Sequence, residues 1–190
     1  MSAQPEKKLY TSADLFRINS RGDQQYELVE GGLIKIAPVS NLHGLIAANI
    51  TGELRNFNKQ HKLGVVLIET GYNLSYTTTR GPDVSFYTKA KAALVQDKGY
   101  KGYLDFAPDL AVEVISAGDR PDEILEKIDD YLRAGVRLIW IVYPNRELVN
   151  VIRPNQPSLI LHRKNADILD GYDVLPDLTL PLATIFETEV

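Results

Sequence analysis

The sequence predicts an α/β fold: a mixed β-sheet with helices packed on it. Three observations carry that reading. A strand–helix–strand unit spans Asp109 to Tyr143. A series of short strand signals broken by turns precedes it. Between those strands, Ile46, Ile50, Leu54 and Phe57 recur at helical spacing over a segment from Leu42 to about Lys59.

The elements follow in order. "TSADLFRIN" opens on Thr11 or Ser12 as an N-cap and gives a short helix. "QYELVEGGLIKIAP" reads as two strands around the Gly31-Gly32 hairpin signal. After the long helix, "GVVLIETGYNLSYT" gives two strands broken at Gly71, and "DVSFY" gives another. "KAKAALVQDKGYKG" reads as a charged loop. "DLAVEVIS" is a buried strand, and "RPDEILEKIDDYLRAG" is a helix started by Pro121 and stopped by Gly135. "RLIWIVYP" is a second buried strand ended by Pro144, so this pair of strands is parallel and joined by a crossover. "ELVNVIR" and "SLILHR" are further strands, and "LPDLTLPLATIF" closes the chain. Neither a repeat nor a linker-like stretch divides the sequence. The expectation is one domain over residues 1–190, with residues 1–24 as an N-terminal helical extension.

Composition narrows the functional classes. A chain of 190 residues, 44% hydrophobic and 24% charged, is ordinary for a globular protein with a real core. It has no cysteine, which excludes disulfides, zinc–thiolate sites and a cysteine nucleophile. "MSAQPEKKLY" has no apolar h-region, and no apolar run is long enough to span a bilayer, so a cytoplasmic protein without a membrane partner is expected. The net charge of −4 supplies no general attraction to nucleic acid, although a local basic groove is compatible with it.

Within the buried strand "APDLAVEVIS", Glu113 interrupts an apolar run. An isolated ionised carboxylate in a dry core is costly unless it is paired, protonated or bound to metal. Strand alternation puts Asp109, Ala111, Glu113 and Ile115 on one face, and Asp83, Ser85 and Tyr87 on one face of "DVSFY". If these strands are neighbours, Asp83 and Glu113 converge. Two such carboxylates raise each other's pKa or recruit a hard divalent cation such as Mg²⁺ or Mn²⁺. Taken singly, Glu113 is equally a solvent-facing or arginine-paired residue, and Asp83 is more readily a turn residue, since Pro-Asp at a strand start is common turn chemistry. On the following helix, Ile124, Ile128, Tyr131 and Leu132 form the apolar face. Lys127 lies about 40° from Tyr131 at 100° per residue. From that border its stem can cross the sheet and bring the ammonium to a strand carboxylate, or it can pair with Glu123 or Asp130 on the surface.

An acidic residue, a second acidic residue on a strand and a lysine, set in an α/β core, resemble the PD-(D/E)XK nuclease superfamily, the restriction-endonuclease-like fold. Most of the chain resembles, more specifically, a large family of short bacterial proteins assigned to restriction endonucleases but without a defined biology. "YELVEG", the helix-opening His43, "GPDVSFY", "APDLAVEVIS", "EKIDDYLRAGV" and "LIWIVYP" carry the likeness in that order.

The resemblance implies Asp83 and Glu113 as metal ligands, joined by the carbonyl of Val114 or Ile115. It places a lysine two residues after Glu113, where this chain has Ile115. Some branches of the superfamily supply the lysine from the next helix, and Lys127 fits that position. Glu27 or Glu30 adds a further acid; Glu27 is the preferred one. "ISAGDR" stands where a Ser-Pro-Ser-Asp-like turn is usual, and "VYP" replaces Val-Asp-Pro.

The implied activity is Mg²⁺- or Mn²⁺-dependent hydrolysis of DNA by a homodimer. Backbone phosphates would meet Lys89, Lys91, Lys98 and Lys101, in a segment that reads equally as a plain solvated basic loop. The reading of a different class is a non-catalytic dimeric module on the same fold that binds nucleic acid or protein. A glycosidase would need an open cleft with aromatic platforms, whereas the single Trp140 lies in a buried strand.

Overall fold

The computed structural model describes residues 8–96 and 101–188. A six-stranded mixed sheet forms its centre. Its strands are β3 (Gly64–Ile68), β6 (Val84–Thr88), β7 (Leu110–Val114), β8 (Leu138–Tyr143), β9 (Leu148–Ile152) and β10 (Leu159–His162), in the order β10-β9-β8-β7-β6-β3. The β7–β8 pair is parallel, as the crossover requires, and its neighbours pair antiparallel. A four-stranded sheet, in the order β2-β1-β5-β4, is built from β1 (Tyr26–Val29), β2 (Gly32–Lys35), β4 (Tyr72–Asn73) and β5 (Thr79–Arg80). Strands β11 (Ile168–Asp170) and β12 (Thr179–Pro181) form a third, two-stranded sheet.

Five α-helices complete the described residues: α1 (Ser12–Asn19), α2 (Asn41–His61), α3 (Lys89–Gln96), α4 (Pro121–Arg133) and α5 (Leu182–Ile185). Thr11 caps α1 through a reciprocal capping box with Asp14. Ser40 caps α2, its hydroxyl accepting from the His43 N–H at 3.2 Å. Helix α4 begins at Pro121 and gives way to Gly135, whose φ of +87° is the left-handed backbone that glycine adopts freely.

The alternation of β7 divides the core. Leu110, Val112 and Val114 pack on one side with Ile46, Ile50 and Leu54 of α2, Trp140 of β8, and the closing segment around Leu182 and Phe186. Ala111 and Ile115 face the other side, where Tyr131, Ile124, Ile128 and Leu132 of α4 cover the sheet. A smaller cluster gathers Tyr72, Tyr87 and Val95 beneath α3.

One element departs from the sequence expectation. Lys89–Gln96 is helix α3 rather than a charged loop. Its alanines, leucine and lysines are good helix formers, and Val95 buries itself against the small cluster. Lys91 is consequently no free cation: its Nζ donates to the Ala107 carbonyl at 2.8 Å and to Asp109 at 2.9 Å. Lys98 lies outside the described residues.

Candidate active site

Register places the two strand carboxylates together. In the antiparallel β6–β7 pair Val84 lies opposite Val112, so one step further Asp83 lies opposite Glu113. Asp83 is fixed by a hydrogen bond its Oδ2 accepts from the Val114 N–H at 2.6 Å. Glu113 is 5% exposed, and both of its oxygens are engaged from α4. Lys127 Nζ donates to Oε2 at 2.8 Å and the Tyr131 hydroxyl to Oε1 at 2.5 Å.

Lys127 and Tyr131 stand one helical turn apart, so a single face of α4 delivers both donors to one carboxylate. Lys127 also approaches Glu27 Oε1 at 3.6 Å. Of the alternative surface partners, Asp130 is taken by arginines.

Glu27 enters from the other sheet. β1 pairs with β5 through Leu28 and Thr79, so the next step sets Glu27 against Arg80. Arg80 Nη1 donates to Glu27 Oε2 at 2.9 Å, and the Gly81 N–H donates to Glu27 Oε1 at 3.0 Å. The same guanidinium reaches Asp130 of α4 at 2.7–2.8 Å. Arg133 holds the remaining Asp130 oxygen. Glu30, the alternative acid, is exposed in the hairpin turn at a φ of +47°.

The electrostatics follow from burial and charge. Burial pushes the Glu113 carboxyl up to about 7; Lys127 opposes the shift, and the Asp83 and Glu27 charges reinforce it. Burial works against the Lys127 ammonium, but Glu113 and Glu27 outweigh it and hold the amine charged well above its ordinary range. Burial, with Glu113 and Glu27 beside it, keeps the Tyr131 hydroxyl protonated as a donor.

On the other side of Asp83 lies His43, 5% exposed. Burial disfavours its protonated form, but the Asp83 carboxylate prevails and its pKa rises. Its Nδ1 lies 3.2 Å from the Ser116 hydroxyl and its Nε2 lies 3.2 Å from Asp83 Oδ1. These groups border a cleft of about 430 Å³, whose further wall is the stretch Ile34–Val39, apolar except for Lys35.

Of the residues the sequence singled out, Asp83, Glu113, Lys127, Glu27 and His43 are thus brought to one cleft, and Val114 lines it. Sequence reasoning missed Tyr131, Arg80 and Glu69. Tyr131 counted only as part of an apolar face, though its spacing from Lys127 was a signal for a shared target. Arg80 precedes Asp83 by three residues, but its partners lie more than 45 residues away in sequence. Two carboxylates facing each other over a single lysine leave negative charge in excess, and a hard divalent cation suits such a donor set.

A mixed sheet carrying this acid–acid–lysine arrangement defines a restriction-endonuclease-like protein of the PD-(D/E)XK superfamily. The chain belongs to the Uma2 family, described as "Putative restriction endonuclease", whose model matches residues 12–183. Among solved structures it is similar to a "putative nuclease belonging to DUF820" from Anabaena variabilis. That match has a TM-score of 0.79 at 17% identity and covers 93% of this chain and 97% of the other. At that identity the likeness speaks for the fold. No curated protein matches the sequence. Among the described residues, no helix is long and apolar enough to cross a membrane.

Proposed function

We propose that the protein is a metal-dependent endonuclease that hydrolyses DNA phosphodiester bonds. The observation that carries this reading is Lys127 Nζ at 2.8 Å from Glu113 on the strand beside Asp83. It supplies from α4 the cation that Ile115 does not. Asp83, Glu113 and the Val114 carbonyl would hold Mg²⁺ or Mn²⁺, which when bound lowers the pKa of water and neutralises charge on the scissile phosphate.

The chain's own residues do the rest. Lys127 presents a permanently charged ammonium at the cleft, where it orients the attacking water or stabilises charge building on the phosphate. Tyr131 fixes the Glu113 rotamer, and Glu27, itself held by Arg80, limits the swing of Lys127. Lys89 lies beyond the end of β6 opposite to Asp83 and Lys101 lines a separate pocket, so Lys35 and Arg120, which border the cleft, are the cations placed to meet backbone phosphates. Cleavage of both strands of a duplex calls for two such sites, so the working form is a homodimer, with DNA as partner and the cytoplasm as location.

The net charge of −4 favours a second reading, a non-catalytic dimeric module on the same fold. A plasmid assay separates the two. With Mg²⁺ or Mn²⁺, the wild type nicks supercoiled plasmid, and Asp83→Ala and Lys127→Ala lose at least about 10²-fold in rate, the scale of a lost electrostatic stabiliser. Equal nicking by all three proteins, or none by any, overturns the nuclease reading.

A further inference from the structure

The acid pair with its lysine leaves His43 and Glu69 unused beside Asp83. His43, Glu69 and Asp83 each offer a ligand atom, and these atoms all lie within 4.8 Å of one another. Acidic residues gathered at a surface would not by themselves make a site. Here, however, the third donor is a buried imidazole whose Nε2 has no hydrogen-bond partner of adequate geometry among the described residues. That nitrogen faces the Asp83 carboxylate at 3.2 Å. The other ring nitrogen meets the Ser116 hydroxyl, which can accept a hydrogen bond from Nδ1–H and leave the Nε2 lone pair turned toward the two carboxylates. A lone pair aimed at carboxylate oxygens is repulsive until a cation, a proton or a metal ion, lies between them, and a metal here competes with the proton that Asp83 otherwise holds on the ring.

We infer that His43 Nε2, Glu69 and Asp83 form a cation site of their own, separate from the Glu113 side of Asp83 and selective for first-row divalent metals that accept nitrogen. Mg²⁺ prefers an all-oxygen shell, whereas Mn²⁺ and later metals accept imidazole with increasing affinity. The elements supply the three donors from separate parts of the chain. His43 lies in the first turn of α2, Glu69 directly follows β3, and Asp83 directly precedes β6. β3 and β6 are paired through Ile68 and Val84, and the Glu69 N–H donates to the Asp83 carbonyl, so the two acids are held side by side. Asp83 is common to both positions. It can therefore link an ion held with His43 and Glu69 to one held with Glu113.

The site does not depend on nuclease activity, and binding tests it directly. Mn²⁺ is titrated into the full chain and the free ion followed by electron paramagnetic resonance; calorimetry with Mg²⁺ gives the comparison. The wild type is expected to bind Mn²⁺ at least about tenfold more tightly than Mg²⁺. Glu69→Gln and His43→Gln should each weaken Mn²⁺ at least about tenfold, because a lost ligand costs no less than a lost outer-shell partner. Glu69 is exposed, so Glu69→Gln leaves the fold intact and keeps the test decisive even if His43→Gln does not fold. Glu113→Gln should retain Mn²⁺ binding that depends on Glu69.

Unchanged Mn²⁺ affinity in Glu69→Gln overturns the inference, as does equal affinity of the wild type for the two metals. Binding lost in Glu113→Gln but kept in Glu69→Gln overturns it while leaving the proposed nuclease site standing. Glu69-dependent binding without plasmid nicking supports it and sinks only the nuclease reading.

Discussion

Glu113 is held by two donors of unequal kind, a charged amine and a neutral phenol. Its carboxyl titrates near 7 in the folded chain, whereas in an unfolded chain it has its ordinary value near 4.5. A carboxyl with a raised folded pKa favours folding in its protonated form. That contribution is complete below the unfolded value and is lost as pH rises toward about 7. Glu113→Gln removes the titration but keeps a neutral group of the same shape. In metal-free urea denaturation, the variant should therefore gain relative to wild type between pH 5 and pH 8, by on the order of 3 kcal/mol. A difference between the proteins that does not change with pH would mean that Glu113 titrates normally. Its place in the site was legible because period-two alternation is strict in a strand. The Tyr131 hydrogen bond was not, because an aromatic at a helix–sheet contact gives no sign of where its hydroxyl ends.

At the scale of elements, α4 brings both side-chain donors to Glu113 and was the most readable. Pro121, Gly135 and the apolar recurrence fixed its limits, and the same periodicity set Lys127 at the edge of the buried face. Helix α3 failed for a local reason. Its lysines drew attention to charge, although its residues favour helix and Val95 has a core to enter. The two-residue strands β4 and β5 are too short to show any period, so the four-stranded sheet that brings Glu27 and Arg80 together could not be read from pattern. Helix α2 provides a test at this scale. Ser40 accepts from the N–H of His43, so Ser40→Ala should cost about 1 kcal/mol in denaturant midpoint measurements. Because His43 lies in the turn that frays, Mn²⁺ affinity should fall as well.

Across the whole molecule, Arg80 ties the four-stranded sheet to the helix that covers the six-stranded one. It binds Glu27 on β1 and Asp130 on α4 while 3% exposed. Removing the cation leaves two buried carboxylates short of their shared partner, with Arg133 alone on Asp130 and the Gly81 N–H and Lys127 on Glu27. Arg80→Met should therefore lower stability by about 3–5 kcal/mol. Adding Glu27→Gln and Asp130→Asn to it should restore part of that loss, since the uncompensated charges go with it. Recovery is measured by urea unfolding. No recovery would mean that Arg80 acts through packing of its stem rather than through charge.

The sheet was visible in the sequence as a series of strands, but its order was visible only across the crossover, where β7, α4 and β8 follow one another. Every contact that closes the cleft from outside this unit, from Glu27, Arg80 and His43, joins residues far apart in the chain.

A lysine carried on a helix rather than on the strand of its acidic partner makes the site an assembled object. Ile115, standing where the strand lysine would be, keeps its apolar contact with the face that α4 covers. The position that would have armed the sheet instead helps to seat the helix. A chain whose sheet has formed but whose α4 is still undocked possesses both strand acids and no ammonium. The two acids and the ammonium therefore come together only when α4 docks on the sheet.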